Sequence, residues 1–104
     1  GTTHPLLYKN YLTANSMHWI NKPPPGWSEG IALKCCAKTR YRQPDQACTA
    51  MMGSDGSVEV YFEQPQRAVT PGQYVVLYRG SQCLGGAIID DAEMRAHPLE
   101  AAAS

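Results

Sequence analysis

The sequence has no surplus of charge. Its nine Lys and Arg balance its nine Asp and Glu, so the chain as a whole exerts little pull on a polyanion, and any binding to nucleic acid must come from a local patch. It has no apolar run near the ~20 residues of a membrane-spanning helix and no secretory leader pattern at its start, so no membrane partner is expected. Cysteine is present but badly spaced for metal. Cys35, Cys36, Cys48 and Cys83 form no Cys-x-x-Cys motif and have no His at ligand spacing, which argues against a zinc site. Adjacent strand residues point to opposite faces, so Cys35 and Cys36 are poorly placed to pair or to grip one metal. Reduced thiols in an intracellular compartment are expected. Gly85-Gly86 lacks the following helix, the Lys and the spacing of a phosphate-binding loop. No internal repeat is evident. A chain of 104 residues suits one domain, and because it opens on Gly1 rather than Met, a fragment or a processed form is expected.

What is present centres on the run Leu33 to Arg42. Read as one long strand, it places Leu33, Cys35, Ala37, Thr39 and Tyr41 on one face and Lys34, Cys36, Lys38, Arg40 and Arg42 on the other. Four of the chain's nine basic residues then share one strand face, a candidate anion-binding surface on a neutral protein. A solvated outer face, its Lys and Arg guarding against edge pairing, reads equally well.

The rest of the chain is punctuated as an all-β protein. His4-Pro5 followed by Leu6, Leu7, Tyr8, Tyr11 and Leu12 has helical spacing and predicts a short helix. Ser16–Ile20 predicts a strand. There His18 reads as a packed or rim histidine and Trp19 as a core or interface anchor. Pro23-Pro24-Pro25 forces a loop, from which Trp27 is expected to fold back onto the core. Ala47–Met52 and Ser57–Glu63 predict two strands joined by the hairpin turn at Asp55-Gly56, with Val58, Val60 and Phe62 inside and Glu59, Tyr61 and Glu63 outside. Gln64–Thr70 reads as irregular. Pro71-Gly72 marks a turn, Gln73–Arg79 a strand apolar on both faces, and Gln82–Ile89 the last strand. Gly85-Gly86 within it marks a bulge, a barrel corner or an approaching backbone, with barrel closure the preferred reading. Asp90 and Asp91 read as solvated, and the Ala-rich end as a frayed helix or a disordered tail. Six strands at short intervals predict a small six-stranded β-barrel, with 1–15 as a linker, 16–90 as the barrel and 91–104 as the tail. Val58, Val60, Phe62, Val76 and Leu84 are the expected core.

Several motifs, in order, carry a resemblance: His4-Pro5-Leu6-Leu7, His18-Trp19-Ile20, Ala37-Lys38-Thr39-Arg40-Tyr41-Arg42-Gln43, Gln66-Arg67-Ala68-Val69-Thr70-Pro71-Gly72-Gln73 and Cys83-Leu84-Gly85-Gly86. The chain resembles the C-terminal part of the tRNA-specific 2-thiouridylases, the MnmA/TrmU family, from about His4 to Ile89. The resemblance implies a β-barrel similar to the second domain of elongation factor Tu. The parent enzyme would adenylate the wobble uridine of certain tRNAs with ATP and deliver sulfur to its C2 from a cysteine persulfide. An N-terminal ATP-pyrophosphatase domain, a central domain and sulfur-relay proteins would be its partners, in the cytoplasm, or in the mitochondrion for a eukaryotic source. The family's Ser-Gly-Gly-x-Asp-Ser phosphate loop is absent from this chain. The family's catalytic cysteines belong to earlier domains, so none of the four here inherits that role. The isolated chain is expected to be inactive and to need no cofactor itself.

Combining the basic run with the resemblance, Lys38, Arg40, Arg42, Gln43 and Arg67 are the expected tRNA-contacting set, holding phosphate rather than reading bases. The alternative is a docking barrel whose basic face packs on the parent's other domains, since Arg grips a carboxylate and a phosphate with the same fork. A third reading, an enzyme using a reactive Cys, has no His near any Cys in sequence to support it.

Overall fold

A computed structural model describes residues 8–20, 27–28, 30–53 and 55–96. The six strands are β1 (Tyr8–Trp19), β2 (Ala32–Lys38), β3 (Gln46–Met52), β4 (Val58–Arg67), β5 (Tyr74–Arg79) and β6 (Gln82–Glu93). They close into a barrel in the order β1-β4-β3-β2-β5-β6, each neighbouring pair antiparallel. Closure leaves no open sheet edge. The all-β barrel expected from the turn spacing is the fold observed, and the described residues contain no helix.

The core follows from strand alternation. Leu12 and Ala14 from β1, Ala37 from β2, Ala50 from β3, Val58 and Val60 from β4, Val75 and Leu77 from β5 and Ile89 from β6 are shut off from solvent. Phe62 and Leu84 join them. Val76 does not. It lies between Val75 and Leu77, and the two-residue period turns it to the outer face, where it is only half-buried. Tyr61 faces out as expected and is nevertheless buried, because its ring packs 4.6 Å from that of Tyr11. Trp27 returns to the core as expected. Its indole N–H donates to the Ile31 carbonyl (2.8 Å) and its ring meets Trp19 edge-on at 5.2 Å.

Three boundaries differ from the sequence reading. Tyr8–Ala14 is strand rather than helix. It pairs with β4 on one side and, from Tyr11, with β6 on the other, and pairing that closes the barrel outweighs the local helical spacing. β4 continues through the stretch read as irregular, as far as Arg67, with Arg67 and Gln66 opposite Tyr8 and Lys9 and a register shift after that pair. β6 continues to Glu93, so the strands run beyond 16–90 at both ends. Asn10 clasps the residue beyond β6: its amide donates to the Arg95 carbonyl and accepts from the Arg95 N–H, both at 2.7 Å. His4–Leu7, the triple proline and residues 97–104 lie outside the described residues.

Gly85 is where the barrel closes on itself. Its φ of 151° is a region L side chains rarely adopt, and a Cβ built there falls 2.2 Å from the His18 carbonyl oxygen. Gly85 and Gly86 are the partners of Trp19 and His18 across the β1–β6 seam. Gly85 thus serves barrel closure, the preferred reading of the pair, by admitting the β1 backbone close against it.

Candidate functional site

The basic run is shorter as a strand than alternation suggests. β2 ends at Lys38. The N–H of Thr39 is taken by the side-chain Oε1 of Gln43 (3.0 Å) instead of a neighbouring strand, and the N–H of Gln43 donates to the Arg40 carbonyl (3.3 Å). These bonds fold Arg40–Gln43 into a four-residue turn with Tyr41 and Arg42 at its corner. Tyr41, expected on the buried face, is 94% exposed, because alternation has no force once the strand has stopped.

The expected set divides into three. Lys38 stands at the base of the turn. Its ammonium lies 3.4 Å from an Asp45 carboxylate oxygen and 5.2 Å from the centre of the Tyr78 ring, so its charge is largely answered within the chain. Arg40 and Arg67 are brought together, since a guanidinium N–H of Arg40 donates to the backbone carbonyl of Arg67. Neither guanidinium, nor that of Arg42 at the corner, has an acidic partner among the described residues. Gln43 is turned inward. Its Nε2 donates to Gln66 Oε1 at 2.7 Å, which makes it part of the turn's frame rather than a surface contact.

Beside this turn lies an open cleft of about 710 Å³, lined by Lys38, Thr39, Arg40, Tyr41 and, opposite them, Gly72, Gln73, Tyr74, Val76 and Tyr78. The far wall is the Pro71-Gly72 turn and the outer face of β5. Gly72 has φ +90° and its N–H donates to the Ile89 carbonyl (2.8 Å), fixing that wall to β6. Tyr74 is 63% exposed. The cleft thus sets two open phenol rings beside a guanidinium, an arrangement suited to a planar ring and an attached anion. Sequence reasoning missed Tyr41, Gln73 and Tyr74. A signal existed for the first: from Lys38 to Gln46 only Tyr41 is apolar, and Pro44 ends the run. An isolated aromatic in a polar turn is a surface aromatic.

No thiol lines this cleft, although Cys36 and Cys83 are the strand partners of Tyr78 on its wall. Cys35 and Cys48 are cross-strand partners inside the barrel, their sulfurs 3.7 Å apart. The hydrogen bond it shares with Cys35, together with burial, pushes the Cys48 thiol well up, so it stays protonated and unreactive at neutral pH, while the same bond draws Cys35 down. Burial, then Asp45, raises Cys36 as well. Among the described residues no group of three or more His, Cys, Asp or Glu could hold a metal.

Known proteins share this barrel. A family model described as aminomethyltransferase beta-barrel domain matches residues 9–89. The tRNA-specific 2-thiouridylase MnmA of Xanthomonas oryzae pv. oryzae (strain PXO99A) is 53% identical over 85 residues, covering 82% of this chain and 21% of that protein. The protein of the same name from Alcanivorax borkumensis is 50% identical over 91 residues, covering 88% of this chain and 24% of its own length. The chain therefore spans less than a quarter of the length of these relatives. With the match running from the first strand to the last, the chain belongs to the aminomethyltransferase beta-barrel domain family, in the form found in the tRNA-specific 2-thiouridylases.

Proposed function

We propose that this chain is the accessory tRNA-binding barrel of a tRNA 2-thiouridylase, helping to hold tRNA while the parent enzyme transfers sulfur to C2 of the wobble uridine. One observation carries the reading. The exposed turn Arg40-Tyr41-Arg42 presents two guanidinium groups with no acidic partner among the described residues, on either side of an open aromatic ring. Guanidinium forks suit phosphate oxygens, and exposed rings suit unstacked bases. Arg40, Arg42 and Arg67 supply the phosphate contacts. Tyr41 and Tyr74 supply stacking. Lys38, already paired with Asp45, contributes least, and Gln43 acts by holding the turn. ATP, the persulfide donor and the sulfur-relay partners belong to the parent enzyme in the cytoplasm. The chain alone is expected to perform neither ATP hydrolysis nor thiolation, because the family's Ser-Gly-Gly-x-Asp-Ser loop is absent from it.

The test is tRNA binding measured across a salt series. Each neutralised phosphate releases condensed counterions, so log affinity should fall against log salt with a slope of magnitude about 2–3. Replacing Arg40 and Arg42 by Ala together should remove most of that slope and weaken different tRNAs alike, because phosphate contacts position the protein without reading sequence. A double variant that binds tRNA as the wild type does, but loosens domain packing in the parent enzyme, establishes the docking barrel instead.

A further inference from the structure

The structure contains a device for holding the basic turn that the binding reading does not explain. Thr39 and Gln66 are the buried polar residues among those described, and both belong to one relay of amides. The Thr39 N–H donates to Gln43 Oε1 at 3.0 Å. Gln43 Nε2 donates to Gln66 Oε1 at 2.7 Å. Gln66 Nε2 donates to Gln46 Oε1 at 3.1 Å and to the Gln64 carbonyl at 2.8 Å. Gln46 Nε2 closes the series on the Pro44 carbonyl at 3.0 Å.

The direction of this relay is fixed. It begins at a backbone N–H, which can only donate, and ends at two backbone carbonyls, which can only accept. Each side-chain amide therefore has one orientation that satisfies its neighbours. A single side chain on β4, Gln66, thereby ties down both ends of the Thr39–Gln46 stretch: the start through Gln43 and the finish through Gln46. Beside it in sequence, the Arg67 carbonyl accepts from the Arg40 guanidinium. An amide relay as a whole adds little net stability, but removing one member leaves its partners without their hydrogen bonds. What the amide adds is one defined geometry for the turn.

We propose that Gln66 is a positioning residue for tRNA: through Gln43 and Gln46 it holds the Arg40-Tyr41-Arg42 turn in its binding conformation without touching the ligand. This rests on the reading of the turn as a tRNA contact. Without the relay the turn keeps, among the described residues, the Gln43-to-Arg40 backbone bond, the Lys38–Asp45 pair and the exposed Arg40 contact to Arg67.

The experiment uses Gln66→Leu and, in case a buried change upsets the barrel, Gln43→Ala at the half-buried turn position. Amide hydrogen exchange is read residue by residue, and tRNA affinity is read for each variant with and without Arg40→Ala. Either variant should speed exchange at Thr39 and across the turn by roughly ten-fold while the core strands stay protected. Affinity should drop by roughly five- to ten-fold at 0.1 M salt, about one phosphate contact. Arg40→Ala should cost about as much in the wild type and almost nothing further in the Gln66→Leu background. A merely structural loss would instead add to it. Unchanged exchange at Thr39 overturns the proposal, as does full additivity with Arg40→Ala. If the wild type itself does not bind tRNA, the binding reading falls and the positioning role for tRNA falls with it. Faster turn exchange would then show only that the relay holds the turn.

Discussion

Replacing Gly85 by Ala should be among the most damaging single-methyl changes this barrel can suffer. The added Cβ would lie 2.2 Å from the His18 carbonyl oxygen, 3.0 Å from the Trp19 Cα and 3.1 Å from the His18 carbonyl carbon. All three are backbone atoms of β1, so no side chain can swing aside. Relief requires His18 and Trp19 to lift from β6, which opens their pairing with Gly86 and Gly85, strains the adjoining Ile20 N–H bond to the Leu84 carbonyl (3.1 Å) and disturbs the Trp19–Trp27 contact. Overpacking against fixed atoms costs about 1–3 kcal/mol, and an L residue at an unfavourable positive φ costs about 1–3 kcal/mol more. A total of about 2–6 kcal/mol is a large share of the roughly 5–15 kcal/mol that holds a domain folded. It corresponds to a melting temperature lower by roughly 10–40 °C. Gly86 provides the control. A Cβ there meets the Val75 carbonyl oxygen at 3.2 Å and a Val76 methyl at 3.7 Å, so Gly86→Ala should cost only about 1 kcal/mol. Urea unfolding followed by tryptophan fluorescence reads both, since Trp19 sits on the seam. If Gly85→Ala falls within about 1 kcal/mol of the wild type, or Gly86→Ala is the worse of the two, the seam does not close as described.

Three further outcomes are expected. Phe62 is 3% exposed within the core, so Phe62→Ala should cost about 3–5 kcal/mol in chemical denaturation. Tyr41→Ala should leave stability unchanged, because the ring is in solvent, yet weaken tRNA binding by about 1–3 kcal/mol if it stacks a base; equal binding by the variant would remove Tyr41 from the interface. The Ser57 hydroxyl, and then its N–H, hold the Asp55 carboxyl below its ordinary range. A carboxyl depressed in the folded state contributes stability above its unfolded pKa and loses it as pH falls through the folded one. Asp55→Ala should therefore flatten the acid-side decline of the melting temperature.

Much of the fold was legible because the local signals agree with one another. Asp55-Gly56 and Pro71-Gly72 fix turns by backbone chemistry, and Val58, Val60 and Phe62 alternate with Glu59, Tyr61 and Glu63. Two glycines inside a strand pointed to barrel closure before any partner was known. The misreadings share a cause. Tyr8, Tyr11 and Leu12 have helical spacing, but this segment lies between two strands that need a partner on each side, and such long-range pairing leaves no trace in a local window. Alternation carried the basic strand past Lys38 because a side-chain bond, from the Thr39 N–H to Gln43, is what ends it. Val76 was misplaced because Tyr74–Tyr78 is apolar on both faces, so the pattern alone could not set the register. For the candidate site, the run that carries Lys38, Arg40, Arg42 and Gln43 was recognisable from charge density. The roles within it were not, since they depend on which partner each side chain finds: Asp45 for Lys38, Gln66 for Gln43, the Arg67 carbonyl for Arg40. Tyr74 and Gln73 join the cleft from the opposite side of a strand pairing, and their sequence distance from Tyr41 hid them.

The most direct test of the central claim is a residue-level map of where tRNA meets the barrel. Backbone amide resonances of the isotopically labelled chain, followed as tRNA is added at low salt, would supply it. The account predicts that the largest changes fall on Lys38–Gln43, Arg67 and Gly72–Tyr78, and that Arg40→Ala with Arg42→Ala abolishes them while the spectrum of the folded barrel is kept. Changes centred instead on the opposite wall, along β1 and the Val58–Phe62 part of β4, or no specific change under conditions in which the parent enzyme binds tRNA, would contradict it.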